Sequence, residues 1–428
     1  MNRKKIFLTG ATGSMGQVTL KQLLLDPLLD ILVLVRDSTE SRNTMSAYQD
    51  NPRLSVFYGD LTNYQDVLHC LTNINIVLHV AALVSPAADD FPADAMKVNY
   101  GGTVNIIEAI KAQPNWENIR LVSIGTIAQT GDRMPPIHWG RVGDPLKASV
   151  HDYYAVSKIA AERAVIESGL KYWVSLRQTG ILSEKMAKTS DAIIFHNPLD
   201  NVLEYVTDHD SGILMAKCCQ DLPDEFWGHI YNIGGGESCR MSGYNLLLGL
   251  FKLLGFKSLE YILDSKWFAI RNFHGHYYLD SDKLENMLHF RTQSKAYFFD
   301  LYVKSLGLVV PLAKMINMLP FGEKIMGKFI RKRFEQHLHE PRGTMNWIEN
   351  NLLEYIEPFF ISKGHWNKIP PLSKWVQYPS YDQVIHIDHG YDDTKPQSEL
   401  TLDDVKAAAF FRGGICLDNS MTQGDWAT

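Results

Sequence analysis

The stretch FLTGATGSMGQ, residues 7–17, decides the fold. Gly10, Gly13 and Gly16 follow a short apolar run, KIFLT at 5–9, and open the helical pattern MGQVTLKQLLLD. Strand, glycine turn and helix in that order let the backbone bend sharply and approach a pyrophosphate, which then rests at the positive end of the helix. Further apolar runs stand at ILVLV (31–35), LSVFYGDL (54–61), INIVLHVAAL (74–83) and IRLVSIG (119–125), with GGTVNIIEAIKA reading as helix before the last. Short, nearly all-apolar strands alternating with helices predict an α/β fold. The expected form is a doubly wound parallel sheet of the Rossmann type, with its ligand crevice at the carboxyl ends of the strands.

The second strand ends VLVRD. An acidic residue at that point holds a ribose 2′-hydroxyl, whereas an arginine accepts a 2′-phosphate. Arg36 favours NADP, and Asp37 keeps NAD open.

DYYAVSK, residues 152–158, adds chemistry. Helix positions four apart share a face, so Lys158 partners Tyr154 rather than Tyr153. An ammonium beside a phenol favours phenolate and makes the pair a candidate proton shuttle. Tyr-x-x-x-Lys alone is common in solvated helices, and the rest of the chain has to support it.

The motifs TGATGSMG (9–16), GDL (59–61), HVAA (79–82), VNYGGTVNIIEA (98–109), YAVSK (154–158) and LRQTGIL (176–182) occur in that order. Through them the chain resembles the extended, epimerase/dehydratase-like branch of the short-chain dehydrogenase/reductase superfamily, over residues 1 to about 290. The resemblance implies that Gly10, Thr12, Gly13, Ser14, Met15 and Gly16 line a pyrophosphate. Asp60 and Leu61 would flank the adenine, Ala81 and Ala82 would pass beneath the adenosine ribose, and Ile181 would contact the carboxamide. Tyr154 would be the catalytic acid/base, and Lys158 would hold the nicotinamide ribose and depress the phenol. For the third catalytic group, counting back from Gly131-Asp132 favours Thr126, leaving Ser123 to touch the cofactor. Asn99 matches a frequent family asparagine, read here as structural. Thr130 and Gln178 stand where the family usually has Tyr and Pro, which puts inherited substrate assignments in doubt rather than the chemistry.

Between Thr126 and Tyr154 runs a Pro- and Gly-rich loop carrying His138, Trp139 and Arg141. Such loops cover substrates; Trp139 would stack on a ring and Arg141 would grip a carboxylate or phosphate. Ser85, in LVSPAADDF, lies on a second candidate wall. His151 reads as a surface or hydrogen-bonded residue, and the glycines of YNIGGGES (231–238) as a tight turn rather than a phosphate site.

The 428 residues suffice for a large core and a further unit, so the expected division is a Rossmann domain (1–180), a smaller substrate lobe (181–290, sharing the sheet) and a mostly helical C-terminal extension (291–428) of unassigned purpose. A formal net charge of −6 argues against nucleic acid. The five cysteines show no metal-ligand spacing, and no metal is expected. No run approaches the roughly 18 apolar residues of a membrane span, so a cytoplasmic protein acting on a small molecule is expected, with a homodimer compatible. LGLVVPLAKMINMLPFGEKIMGKFIRKRF joins apolar residues to Lys328, Arg331, Lys332 and Arg333. A core or interface helix with a solvated basic end is favoured there over a membrane-surface segment. The aromatic-rich remainder reads as an ordered cap, and the end at CLDNSMTQGDWAT, with Cys416, is compatible with a fragment of a longer protein.

The leading expectation is an NADP(H)-dependent oxidoreductase acting on a ketone or secondary alcohol. Its enzyme rival is an NAD-dependent nucleotide-sugar epimerase or dehydratase; Ile127, where a dehydratase needs an acid beside Thr126, weakens the dehydratase version. A dinucleotide-binding sensor or scaffold is the non-enzymatic alternative, and it has no need of Thr126, Tyr154 and Lys158 together.

Overall fold

A computed structural model of the protein describes residues 3–133, 139–188 and 191–375; His138, and the C-terminal stretch that holds Cys416, lie outside them. The strands are β1 (Lys4–Thr9), β2 (Leu29–Val35), β3 (Leu54–Tyr58), β4 (Ile76–His79), β5 (Arg120–Thr126), β6 (Trp139–Gly140), β7 (Trp173–Gln178), β8 (Ile181–Leu182), β9 (Val202–Glu204), β10 (Val206–Thr207), β11 (His229–Ile233), β12 (Arg240–Ser242) and β13 (Tyr277–Tyr278). Seven form one parallel sheet in the order β11-β7-β5-β4-β1-β2-β3. Strand order reverses between β1 and β4, and in such sheets the crevice outside that reversal is where ligands bind.

The apolar runs behave as their lack of alternation predicts. Ile6, Phe7 and Leu8 are all fully buried, because both faces of β1 are covered. Ile6 and Leu8 enter the core on one side of the sheet, and Phe7 enters a separate core on the other. Each such side chain stabilises the fold by about 1.5–3 kcal/mol.

The short strands pair outside the main sheet. β8 runs parallel to β10, β9 antiparallel to β12, and β6 parallel to β13. Their hub is the fully buried Glu204 carboxylate, which accepts from the Gly236 amide at 3.1 Å, Arg240 Nε at 2.9 Å and the Ser281 hydroxyl. A Cβ on Gly234 would lie 2.3 Å from Glu204 Oε1, and Gly236 has φ +72°. The glycines of YNIGGGES therefore wrap a carboxylate, in keeping with a tight turn.

Past residue 290 the described residues are mostly helical: Lys295–Leu306, Val309–Asn317, Gly322–Leu338, Thr344–Glu349, Leu353–Phe360 and Lys363–Asn367. Val310, Ala313 and Leu338 share one core with Phe195, Phe251, Phe256 and Trp267 of the lobe. The sequence favours a core or interface helix with a solvated basic end over 306–334, and the structure puts one row of it into that core. Only the inward row of Val309–Asn317 (Val310, Ala313, Asn317) is buried, while Leu308 and Met318 are 81% and 82% exposed. No single helix among the described residues is long and apolar enough to cross a membrane.

Candidate active site

The glycine turn and β4 meet at the reversal point. Gly10 has φ +77°, and a Cβ there would lie 2.7 Å from the Ala81 amide nitrogen; a Cβ on Gly16 would lie 2.0 Å from the Gly10 carbonyl. The backbone is packed so closely that no side chain fits. Helix Ser14–Leu25 begins at Gly13 with no capping side chain and no acid in its first turn. Its N–H groups and positive dipole end are thus left for an anion, which is what a dinucleotide pyrophosphate requires. The Thr9 hydroxyl accepts from the Ala81 amide at 3.2 Å and pairs with His79 Nδ1 at 3.0 Å, while His79 Nε2 meets the Thr103 hydroxyl at 3.0 Å. Burial, with the Lys158 charge adding to it, pushes His79 down to about 3, so this histidine is a neutral strut. Gly16→Ala is expected to weaken dinucleotide binding more than tenfold, because the turn must open by more than an ångström; fluorescence titration with NAD measures it.

At the end of β2, Arg36 is exposed, and Asp37 receives two hydrogen bonds from Arg42, at 2.7 and 2.8 Å. That guanidinium, lying 4.4 Å from the centre of the Tyr58 ring, holds Asp37 below the usual carboxylate range. Asp60 is exposed and accepts from the Thr62 amide; Leu61 is buried against Gly102, and Ile181 lies in β8. The Thr12 carbonyl accepts from Gln17 Nε2 at 2.9 Å. Met15 is buried and Ala82 half-buried.

Helix Tyr153–Ile166 starts at Asp152, whose carboxylate caps the Ala155 amide and meets His274 Nδ1 at 3.2 Å. The cap fixes where Tyr154 enters the site. Tyr154 is hydrogen-bonded to the Thr126 hydroxyl, so Thr126, not Ser123, is the hydroxyl brought to the phenol; Ser123 is buried nearer the middle of β5. Burial pushes Tyr154 up to about 12; Thr126 opposes the rise and the Asp152 carboxylate adds to it. Among the protein groups it is burial that dominates this phenol, in contrast to the depression expected from Lys158. Lys158, also buried, is pulled down to about 8 by that burial, against the charge of Glu162.

Glu162 stands four positions after Lys158 and is the centre of a buried network that the sequence reading missed. It accepts from Arg177 Nη2 at 2.7 Å, Ser175 at 2.7 Å and Gln129 Nε2 at 2.9 Å. Gln129 in turn accepts the Thr126 amide at 2.7 Å, forming a capping box with it. One carboxylate therefore holds the backbone of Thr126 and offsets the buried charge of Lys158. Two signals were available: Thr-x-x-Gln is capping-box spacing, and Glu162 shares the helix face of Lys158.

The second wall also comes into place. Ser85 hydrogen-bonds Asp89, whose carboxylate accepts the Tyr154 amide at 3.2 Å; burial raises Asp89, with Ser85 working the other way. Asn99 accepts the Leu83 amide at 2.7 Å and donates to Ser157 at 2.8 Å, a structural tie as expected. Trp139 packs edge-on to Tyr277 at 5.4 Å, with the Arg240 guanidinium 4.8 Å from the centre of its ring. Arg141 turns to Asp144, which also pairs with buried Arg133 at 3.0 Å. The C-terminal extension grips the same rim. His151 Nε2 meets the Glu354 carbonyl at 2.9 Å and its ring lies against Tyr355, while Arg342 pairs with both Asp90 and Asp191.

The parallel sheet with its reversal point, and the Tyr154–Thr126 pair on the helix that carries Lys158, are what the resemblance to the extended short-chain dehydrogenases/reductases implies. Residues 6–196 match the NAD dependent epimerase/dehydratase family. UDP-glucose 4-epimerase from Rickettsia rickettsii is 31% identical over 111 residues, 25% of this chain. That stretch is 32% of the relative, so the chain spans about a third of the length of the curated relatives it matches. Two solved structures share the fold: dTDP-glucose 4,6-dehydratase from Streptomyces venezuelae with NAD bound, and UDP-glucuronic acid 4-epimerase from Bacillus cereus in complex with UDP-glucuronic acid and NAD. The first has TM-score 0.56 at 21% identity, covering 72% of this chain and 99% of that one. The second has TM-score 0.56 at 19%, covering 71% and 100%.

Proposed function

We propose that this chain is an NAD-dependent enzyme of the epimerase/dehydratase type that oxidises, and then re-reduces, a secondary alcohol of a nucleotide-linked sugar. This reverses the order of the two enzyme readings taken from the sequence. The observation that carries it is the Tyr154–Thr126 hydrogen bond beside Lys158, within a chain whose relatives' names carry NAD and nucleotide sugars. NAD, when bound along the Gly10–Gly16 turn, would supply the hydride acceptor and donor. The chain's own groups do the rest. Tyr154 takes the proton of the substrate hydroxyl as the alcohol becomes a ketone and returns it afterwards. Thr126 hydrogen-bonds the same oxygen as its charge changes. Lys158, its charge supported by Glu162, would hold the ribose of the nicotinamide half. Ile127, buried beside Thr126, leaves no acid at the place a dehydratase needs one, and this favours epimerisation within the type.

The test is interconversion of UDP-glucose and UDP-galactose with NAD supplied only in catalytic amount. Turnover without net NADH formation is expected; stoichiometric consumption of a reduced cofactor with a ketone overturns the proposal. A second reading, an NADP(H)-dependent reductase of a simple ketone, is favoured by one observation: Arg36 and Arg42 put two guanidinium groups at the end of β2. Paired affinities for NADH and NADPH, with Arg36→Ala alongside, separate the two. Under the main proposal NADH binds at least as tightly as NADPH, and Arg36→Ala leaves NADH affinity unchanged.

A further inference from the structure

The helix pair Val309–Asn317 and Gly322–Leu338 carries an outward face that nothing among the described residues covers. Leu308, Met315 and Met318 are 81%, 58% and 82% exposed. Across the turn, Phe321, Ile325 and Phe329 are 78%, 66% and 81% exposed. The last three are spaced four apart, so they form one stripe on one helix face. The inward residues of the same helices, Val310, Ala313 and Leu338, are buried in the core shared with the lobe. The apolar stripe is therefore the surface of a well-packed hairpin and is not part of an unfinished core. An apolar patch of this extent is rare on a soluble monomer and marks a docking surface.

Charge names the occupant. Between Lys304 and Arg333 stand seven Lys and Arg residues against one acid, Glu323, in a chain whose formal net charge is −6. Lys314, Lys324, Lys328 and Lys332 are exposed among the apolar residues, with no carboxylate partner for them among the described residues. Large apolar side chains interleaved with lysines suit the boundary of an anionic bilayer, where the apolar groups enter the acyl region and the ammonium groups meet phosphates. A protein partner would more often meet aromatic and arginine residues, with lysine depleted. Helices Lys295–Leu306 and Val309–Asn317 pass for a span in length and composition only when taken together, and they meet at 95°. The first leg is held on the lobe, with Phe298 fully buried, and only the second leg and the following helix face outward.

The geometry points to a monotopic membrane-docking surface on this hairpin, its ligand a bilayer carrying anionic phospholipid. The assignment stands independently of the chemistry proposed for Tyr154. Co-sedimentation of the full chain with vesicles of phosphatidylcholine plus phosphatidylglycerol tests it, beside vesicles of phosphatidylcholine alone. The wild type should bind the anionic vesicles more tightly, and less so as salt rises. Ile325→Asp with Phe329→Asp should lose at least about tenfold in vesicle affinity, while dinucleotide affinity, which reports the fold, stays unchanged. Lys324→Ala, Lys328→Ala and Lys332→Ala together should remove the preference for phosphatidylglycerol. A wild type that stays in the supernatant, or an Asp variant that binds as well as wild type, overturns the proposal. So does a wild-type dimer that the Asp variant splits without any vesicle binding, since that gives the face to a second copy of this chain.

Discussion

Tyr154→Phe lowers turnover by about 10²–10⁴-fold and leaves dinucleotide affinity unchanged, as measured by steady-state rates beside fluorescence titration. The substitution removes one oxygen from a group whose ring is held by its helix and whose hydroxyl meets Thr126. Packing survives while the proton carrier is lost. Thr126→Ala should cost less, because it removes a hydrogen bond to the reacting oxygen and leaves the proton transfer in place. The pH profile carries a further mark. Lys158 is pulled down to about 8, so it is charged below that pH and neutral above it. Activity that depends on the ammonium should fall as pH rises through about 8. If Tyr154→Phe turns over at the wild-type rate, the chemistry assigned to this site is wrong, although the dinucleotide cradle would stand.

Arg177→Leu has the largest expected effect on stability, a loss of about 3–5 kcal/mol at neutral pH in urea unfolding. Arg177 and Glu162 are each 1% exposed and 2.7 Å apart. Removing the guanidinium strands a carboxylate where water cannot reach it. The sign of the pH dependence follows. In the wild type Arg177 and the other donors hold Glu162 low despite burial, so its contribution is present above the ordinary carboxylate range and is lost as pH falls through the lowered value. In the variant, burial alone would raise Glu162, so the deficit should be greatest at neutral pH and shrink on acidification. Glu162→Leu combined with Arg177→Leu should recover much of the loss, because an apolar pair needs no mutual neutralisation. A cost below about 1 kcal/mol for Arg177→Leu alone would mean that the pair is hydrated in solution.

The parts of this protein that are local in sequence were legible there. The glycine turn, the alternation of apolar strands with helices and the four-residue spacing of Tyr154 and Lys158 all express chain geometry within a few residues. Thr126 could be counted from Gly131 for the same reason. What escaped is held together by contacts between distant segments. Glu162 meets Arg177 from the next strand and Gln129 from the turn after β5, and no short pattern announces that convergence. Arg141 was read as a grip for an anion, but Asp144 three residues later already engages it. The exposed hairpin escaped for a different reason: its apolar count matches that of a core helix, and only the packing of neighbouring segments decides which face is covered.

The shared core of Phe195, Phe251, Phe256, Val310, Ala313 and Leu338 bears on how this protein can be handled. A version trimmed at residue 290 would bare Phe195 and Phe256, whose rings are now buried against Val310, Ala313 and Leu338. An exchange on one side of that core has to be accommodated on the other. Anyone grafting a new specificity onto this scaffold, or shortening it for crystallisation, has to move or keep both pieces together.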